Sequence, residues 1–173
     1  PILLTRKNTL DSNTLKELKR LGVKKVYIVG GEGSISKEVE NIIKSETNSK
    51  VERIEGKDRY ETNVKIEEKL EKLGTVNKNN KSKELILASG ENYADALSAA
   101  PVGAIREIPI ILTKSNELPK GTKEYIKKYN ANKVYIIGGK ASVSDTIKNS
   151  LAVSKRIYGN DRFETNVAEI GRA

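Results

Sequence analysis

The stretch "ELILASGENYADALSAAPVGAIREIPIILT", residues 84–113, decides the fold. Glu84–Ser89 is a near-continuous apolar run ending at Gly90. Such a run suits a strand buried on both faces, as strands of parallel sheets are. Asn92–Arg106 carries Ala and Leu on one stripe and reads as a helix, with Pro101 expected to kink or divide it. "IPIILT" then returns to strand character. Strand, helix and strand in this order predict a parallel pair joined by a right-handed crossover.

The alternation continues outward in both directions. "LPKGTKEYIKKY" reads as a helix with Pro119 in its first turn, "KVYIIGG" as a strand, "VSDTIKNSL" as a helix and "SKRI" as a short strand. Upstream, Glu61–Leu73 reads as a long helix and the polar segment Thr75–Lys83 as an exposed loop. The fold class is therefore α/β, a doubly wound, mostly parallel sheet of the flavodoxin, Rossmann or Toprim kind.

The same elements occur twice. "PILLT" at 1–5 matches "PIILT" at 109–113, and "KKVYIVGG" at 24–31 matches "NKVYIIGG" at 132–139, both 108 residues apart. "SIS" at 34–36 matches "SVS" at 142–144 at the same offset. "VERIEGKDRYETNV" matches "SKRIYGNDRFETNV" with Arg53 opposite Arg156, an offset of 103, so a five-residue deletion separates the two blocks. Duplication of this kind marks a repeat architecture. It predicts the end of one repeat over 1–56, a complete repeat over 57–159 and the start of a third over 160–173.

Composition narrows the chemistry. The chain has 173 residues, of which 36% are hydrophobic, enough for a core but with no run that spans a bilayer. It contains neither histidine nor cysteine, which removes imidazole bases, thiolate nucleophiles, disulfides and the usual zinc ligands. No cofactor and no metal are expected. Lys and Arg total 32 against 23 Asp and Glu, a net charge of +9 that either serves solubility or favours an acidic partner. Aromatics make up 5%, too few to supply base-stacking platforms, so a nucleic-acid partner is not expected. The chain begins with Pro1 and contains no methionine, as a fragment or processed product would.

Several motifs carry competing readings. Asp58 with Glu61, and Asp161 with Glu164, have capping-box spacing. Arg59 and Arg162 fit a cap less well. They either pair with a carboxylate across a module interface or hold an anionic ligand bidentately. Gly30 and Gly31, and Gly138 and Gly139, lie between a strand and a helix, where backbone N–H groups can hold an anion. Neither copy has dinucleotide or P-loop spacing, so a tight turn is the competing reading. Asp95, without a histidine or second acid beside it, reads as a cap or an ion-pair partner. Ile2–Leu4 and Ile110–Leu112 read as ordinary buried strand residues, and Thr5, Ser89 and Thr113 end strands at the carboxyl edge where α/β sheets bind ligands.

Taken together, "ASGENYADALSAAPVGA", "PIILT", "KVYIIGG…SVS" and "RIYGNDRFETN", in this order, resemble the cell wall binding type 2 repeat of Gram-positive surface and S-layer proteins. The resemblance covers essentially the whole chain. It implies a secreted, non-catalytic module that attaches non-covalently to an anionic, teichoic-acid-like polymer. It also implies three repeats packed with pseudo-threefold symmetry, neighbouring repeats as partners and no membrane partner. The apolar attachment motif of the family maps onto Ile2, Leu3, Leu4 and onto Ile110, Ile111, Leu112. Arg53, Arg59, Arg156 and Arg162 are the expected polymer-binding cations. Two alternatives stand beside this reading: part of a wall hydrolase (an amidase) or adhesin whose effector domain lies outside the chain, and a nucleotide-binding α/β domain.

Overall fold

Strand-forming runs and capped helices alternate along the whole chain in the computed structural model, which describes residues 1–76, 83–151 and 153–170. The side chains of residues 162, 163, 169 and 170 lie outside the described set, as does most of the polar segment after Thr75. The chain divides into two compact units, Pro1–Asp58 and Arg59–Ala173.

The first unit contains α1 (Ser12–Arg20), β1 (Lys25–Val29), α2 (Lys37–Thr47) and β2 (Lys50–Ile54). β1 and β2 pair in parallel, with Val26 opposite Val51. Leu18, Ile28, Val39 and Ile43 form its core. Each helix starts where a short polar side chain takes a free N–H: Asp11 accepts from Asn13, and Ser36 from Val39. Asn48 ends α2 in the left-handed region, which asparagine tolerates.

The second unit contains α3 (Arg59–Leu73), β3 (Glu84–Ser89), α4 (Tyr93–Arg106), β4 (Ile110–Thr113), α5 (Lys120–Tyr129), β5 (Lys133–Ile137), α6 (Asp145–Ser150), β6 (Ser154–Ile157) and α7 (Arg162–Ile170). Its four parallel strands run in the order β4-β3-β5-β6. The connection from β3 to β4 steps one way and the connection from β4 to β5 steps back past β3. Right-handed crossovers therefore put α4 and α5 on opposite faces. Ala99 packs with Ile86, Ala88, Ile137 and Ile157 on one face. Tyr125 and Ile147 pack with Leu85, Leu87 and Ile136 on the other. All six residues of β3 are buried, as the apolar run predicts, and each large one contributes roughly 1.5–3 kcal/mol.

Pro101 does not divide its helix: α4 runs unbroken from Tyr93 to Arg106. Proline removes one backbone hydrogen bond of the helix, and the packing of Asp95, Ala99 and Gly103 on the buried side holds the turns on either side of it.

The two copies share register as well as sequence. Val26 opposite Val51 in the first unit corresponds to Val134 opposite Ser154 in the second. The bond from Ser36 N–H to the Lys7 carbonyl, 2.8 Å, recurs from Ser144 to Ser115 at 2.7 Å. No helix among the described residues is long and apolar enough to cross a membrane.

Candidate functional site

The repeated arginines at the strand ends turn inward. Arg53 Nη1 donates to the Gly30 and Ile35 carbonyls at 2.8 Å each. Its Nε and Nη2 meet Glu40 Oε2 at 3.0 and 2.8 Å. Arg156 Nη1 donates to the Gly138 and Gly139 carbonyls at 2.8 and 3.1 Å, and Nη2 reaches Asp145 Oδ1 at 3.2 Å. The side chains are only 10% and 6% exposed. The guanidiniums of Arg53 and Arg156 are thus committed to their own units, and the expectation that they are surface cations is corrected. Lys44, Lys37 and Arg53 around Glu40 hold its carboxyl down at about 2.

In the anion-turn reading of Gly30, Gly31, Gly138 and Gly139, the same geometry commits the Gly30 and Gly138 N–H groups to other partners. The Gly30 and Gly138 N–H groups donate to the Ile54 and Ile157 carbonyls, extending the parallel ladder. The turn carbonyls converge on a guanidinium, so each turn cradles the protein's own cation. Glycine is needed at Gly138 for two reasons. Its φ is +100°, and a Cβ there would run into the Asp95 carboxylate. Asp95 is buried, with Oδ2 lacking any hydrogen-bond partner.

The duplicated "ETNV" phrase has a function in the fold that its sequence does not announce. β4 is an edge strand, and α3 lies along it. Asn63 Nδ2 donates to the Ile110 carbonyl and Asn63 Oδ1 accepts from Leu112 N–H, both at 2.9 Å. One turn on, Glu67 Oε1 accepts from Ile110 N–H at 3.2 Å. Two side chains thus take the place of a fifth strand. Glu67 is buried with Oε2 unpartnered. Burial pushes its carboxyl up to about 7, the Ile110 N–H opposes the rise, and the charge of Glu71 adds to it. Asn63 and Glu67 went unread in the sequence. The available signal was two polar residues four apart on one stripe of an otherwise packed helix.

Of the apolar triplets, Ile111 is fully buried and Ile110 and Leu112 are half-buried in the sheet. Ile2 and Leu4 are instead 93% and 85% exposed, and no strand forms over residues 1–6. That corrects the expectation of buried strand residues at Ile2, Leu3 and Leu4. A parallel strand needs a neighbour, and among the described residues no strand pairs with residues 1–6.

Arg59 remains on the surface. It is exposed, and its Nη1 donates to the Gly90 carbonyl at 2.7 Å, which places the guanidinium at the carboxyl end of β3. Arg162 opens α7, with its side chain outside the described residues. The capping box forms at the second copy: Asp161 accepts from Glu164 N–H, and Glu164 accepts from Asn160 N–H, both at 2.8 Å. An open groove runs between α5 and α6. Its floor includes Leu118, Ile126 and Ile147, and its rim includes Asn116, Lys123 and Lys127. Apolar floor, amide rim and exposed ammonium groups together suit a ligand with sugar faces, hydroxyls and negative charge.

The cell wall binding domain 2 family matches residues 1–40 and 53–148, well over half of the chain. The chain belongs to this family. Two solved structures with cell wall binding domain 2 folds superpose on it: Cwp6 from Clostridium difficile with TM-score 0.84 and 34% identity, and Cwp8 from the same organism with TM-score 0.79 and 33% identity. Each superposition covers 99% of this chain but only 27% and 29% of the solved chains. Among curated relatives, the amidase enhancer of Bacillus subtilis is 35% identical over 95% of the chain. The N-acetylmuramoyl-L-alanine amidase LytC of the same species is 31% identical over 95%. The chain spans 21% and 31% of the length of those two relatives. The family that covers it is a cell wall binding family.

Proposed function

We propose that this chain anchors a larger surface protein to a Gram-positive cell wall by gripping an anionic, teichoic-acid-like polymer. Family membership supports wall binding. The observation that carries the anionic part is where the charge sits. The buried arginines Arg53 and Arg156 are tied to Glu40 and Asp145, so the net charge of +9 is displayed outward, largely as lysine. Arg59 at the carboxyl end of β3, with Arg162 as its sequence counterpart, and Lys123 with Lys127 along the α5–α6 groove are the contacts this reading assigns. Ile110–Leu112 act indirectly, by shaping the sheet edge. Tandem repeats, over 1–56, 57–159 and 160–173, add avidity through effective concentration, and a pseudo-threefold packing of complete repeats fits that use. The amidase and amidase-enhancer relatives, several times longer, fit a module that positions an effector carried elsewhere.

The test is binding of the chain to purified wall polymer from about 0.05 to about 0.5 M salt, where screening lengths shrink from about 14 to about 4 Å. Affinity falls steeply across that range, and the paired Lys123→Glu and Lys127→Glu change lowers it further at low salt. Affinity that stays flat with salt, or full retention on walls stripped of their anionic polymer, refutes the assignment and points to peptidoglycan.

A further inference from the structure

The helix that follows the Gly-Gly turn differs between the two copies. α2 has 11 residues and α6 has six. Ser36 and Ser144 cap these helices at the offset of 108, and Val51 and Ser154 resume strand pairing at the offset of 103. The missing five residues therefore come from the end of this helix and the turn after it, where the first unit has residues 44–50 and the second has only 152–153. The loss changes what stands beside α5. In the first unit Lys19 of α1 reaches Glu46 in the last turn of α2 at 2.5 Å, so an ion pair bridges the two helices. Glu46 falls within the stretch that is shorter in the second unit. Lys127, the counterpart of Lys19, has no ion pair among the described residues. The layer beneath opens too. Leu18 and Ile43 are buried, whereas their counterparts Ile126 and Leu151 are half-buried. The resulting groove between α5 and α6 encloses about 590 Å³, and every residue that lines it lies between Asn116 and Val153. That volume falls within the usual range of ligand sites. The rim differs in chemistry as well. At the offset of 108, Leu15, Glu38 and Ile42 of the first unit stand where the second has Lys123, Thr146 and Ser150. An acid and two apolar side chains are exchanged for an ammonium and two hydroxyls.

We propose that the two copies have diverged at this face: the shortened α6 makes the α5–α6 groove of the second unit a site for one stretch of an anionic sugar polymer, and the equivalent α1–α2 face of the first unit takes none. The inference rests on the anchoring reading and adds which copy binds at this face and why. Leu118, Ile126 and Leu151 offer the C–H face of a sugar ring an apolar floor, and Thr146 and Ser150 meet its hydroxyls. Lys123 and Lys127 stand one helical turn apart on exposed positions of α5, about 6 Å along the axis. They meet successive negative groups of the polymer. The first unit lacks each of these provisions. Lys19 is already paired with Glu46, Leu15 supplies no charge, and the exposed Glu38 repels an anion. Loss of five residues thus removes a competing carboxylate and uncovers the floor in one step.

The experiment uses the full 173-residue chain and the anionic polymer extracted from walls of Bacillus subtilis, the organism of two of the relatives. Two-dimensional NMR locates the contact. On titration with polymer the signals of Asn116, Thr146 and Ser150 shift, and those of their counterparts Asn8, Glu38 and Ile42 stay in place. Affinity is then measured for two variants. One replaces residues 152–153 by residues 44–50 of the first unit, which restores the acid beside Lys127, and it binds about tenfold more weakly or worse. The other is Thr146→Glu, at an exposed position that leaves the fold intact. It binds about fivefold more weakly, the effect of one like charge some 4 Å away in a water-exposed site. Equal shifts in both units overturn the proposal, as does an affinity that Thr146→Glu leaves unchanged. Shifts in the groove that grow with protein concentration without polymer mark a second copy as the occupant and also overturn it. In these cases the wild-type chain still binds polymer and the anchoring reading stands, whereas a wild-type chain that binds no polymer at low salt overturns both.

Discussion

Replacing Glu67 by glutamine separates the charge of this carboxyl from its shape. In the folded chain burial raises the Glu67 carboxyl from 4.5 to about 7. A raised acid means that the folded state holds its proton more tightly than the unfolded state. The contribution to stability is then fully present below pH 4.5 and is lost as pH climbs through about 7. The interval is worth about 3 kcal/mol at 1.36 kcal/mol per pH unit, and Glu67 is only 6% exposed, so solvent screens little of it. Glutamine keeps an oxygen to accept the Ile110 N–H and matches the protonated acid in charge and volume. Urea unfolding followed by far-ultraviolet circular dichroism therefore gives nearly equal stability for the two proteins at pH 4.5. At pH 8 the Glu67→Gln protein is more stable by up to about 3 kcal/mol. Taking the difference at each pH cancels other titrating groups, including Glu40, whose depressed carboxyl acts in the opposite sense below pH 4.5. A difference that is the same at pH 5 and pH 8, or a variant weaker at both, refutes the reasoning.

Other substitutions probe the edge and the turns. Asn63→Ala removes both bonds to the outer side of β4 and costs about 1–3 kcal/mol. Hydrogen exchange at Leu112 rises with it, which separates a local clamp from general destabilisation. Gly138→Ala meets a positive φ and the Asp95 carboxylate and lowers stability by about 2 kcal/mol or more. Gly139→Ala has nothing within 4 Å of its Cβ and changes the melting temperature little. Arg156→Lys keeps a charge but loses the fork that serves two carbonyls and Asp145, costing about 2–3 kcal/mol by chemical denaturation.

The sequence made the layers legible because hydrophobic period and turn chemistry are local signals. Strand and helix order and the parallel sense of the sheet follow from residues close together in the chain. What escaped depends on neighbours far along it. Nothing local marks Asn63 and Glu67 as surrogates for a strand, since their partners on β4 lie 43 to 49 residues away. Nothing local decides whether Arg53 and Arg156 face water or the Gly-Gly turns, because the carbonyls they meet are 17 to 23 residues upstream. The same limit explains the apolar triplets: "ILL" and "IIL" are nearly one sequence, and only the presence of β3 makes the second a strand.

The two arginine latches show what the repeat holds constant. Both guanidiniums bond the first turn glycine at 2.8 Å, yet their acids come from different helix positions: Glu40 near the start of the second turn of α2, and Asp145 at the first residue of α6. At the offset of 108, Glu40 corresponds to Lys148 and Asp145 to Lys37, so the two helices carry opposite charge at both positions. A buried arginine with no acid within reach would carry a heavy desolvation penalty, but the acid can stand on either turn of the helix that packs against it. The geometry that persists is therefore the contact between guanidinium and turn carbonyls, with the compensating charge free to move. This is a structural requirement, because it closes the strand–turn–helix joint in each copy. The outward-facing cations Arg59, Lys123 and Lys127 close no such joint, and they are the ones we propose to meet the wall polymer.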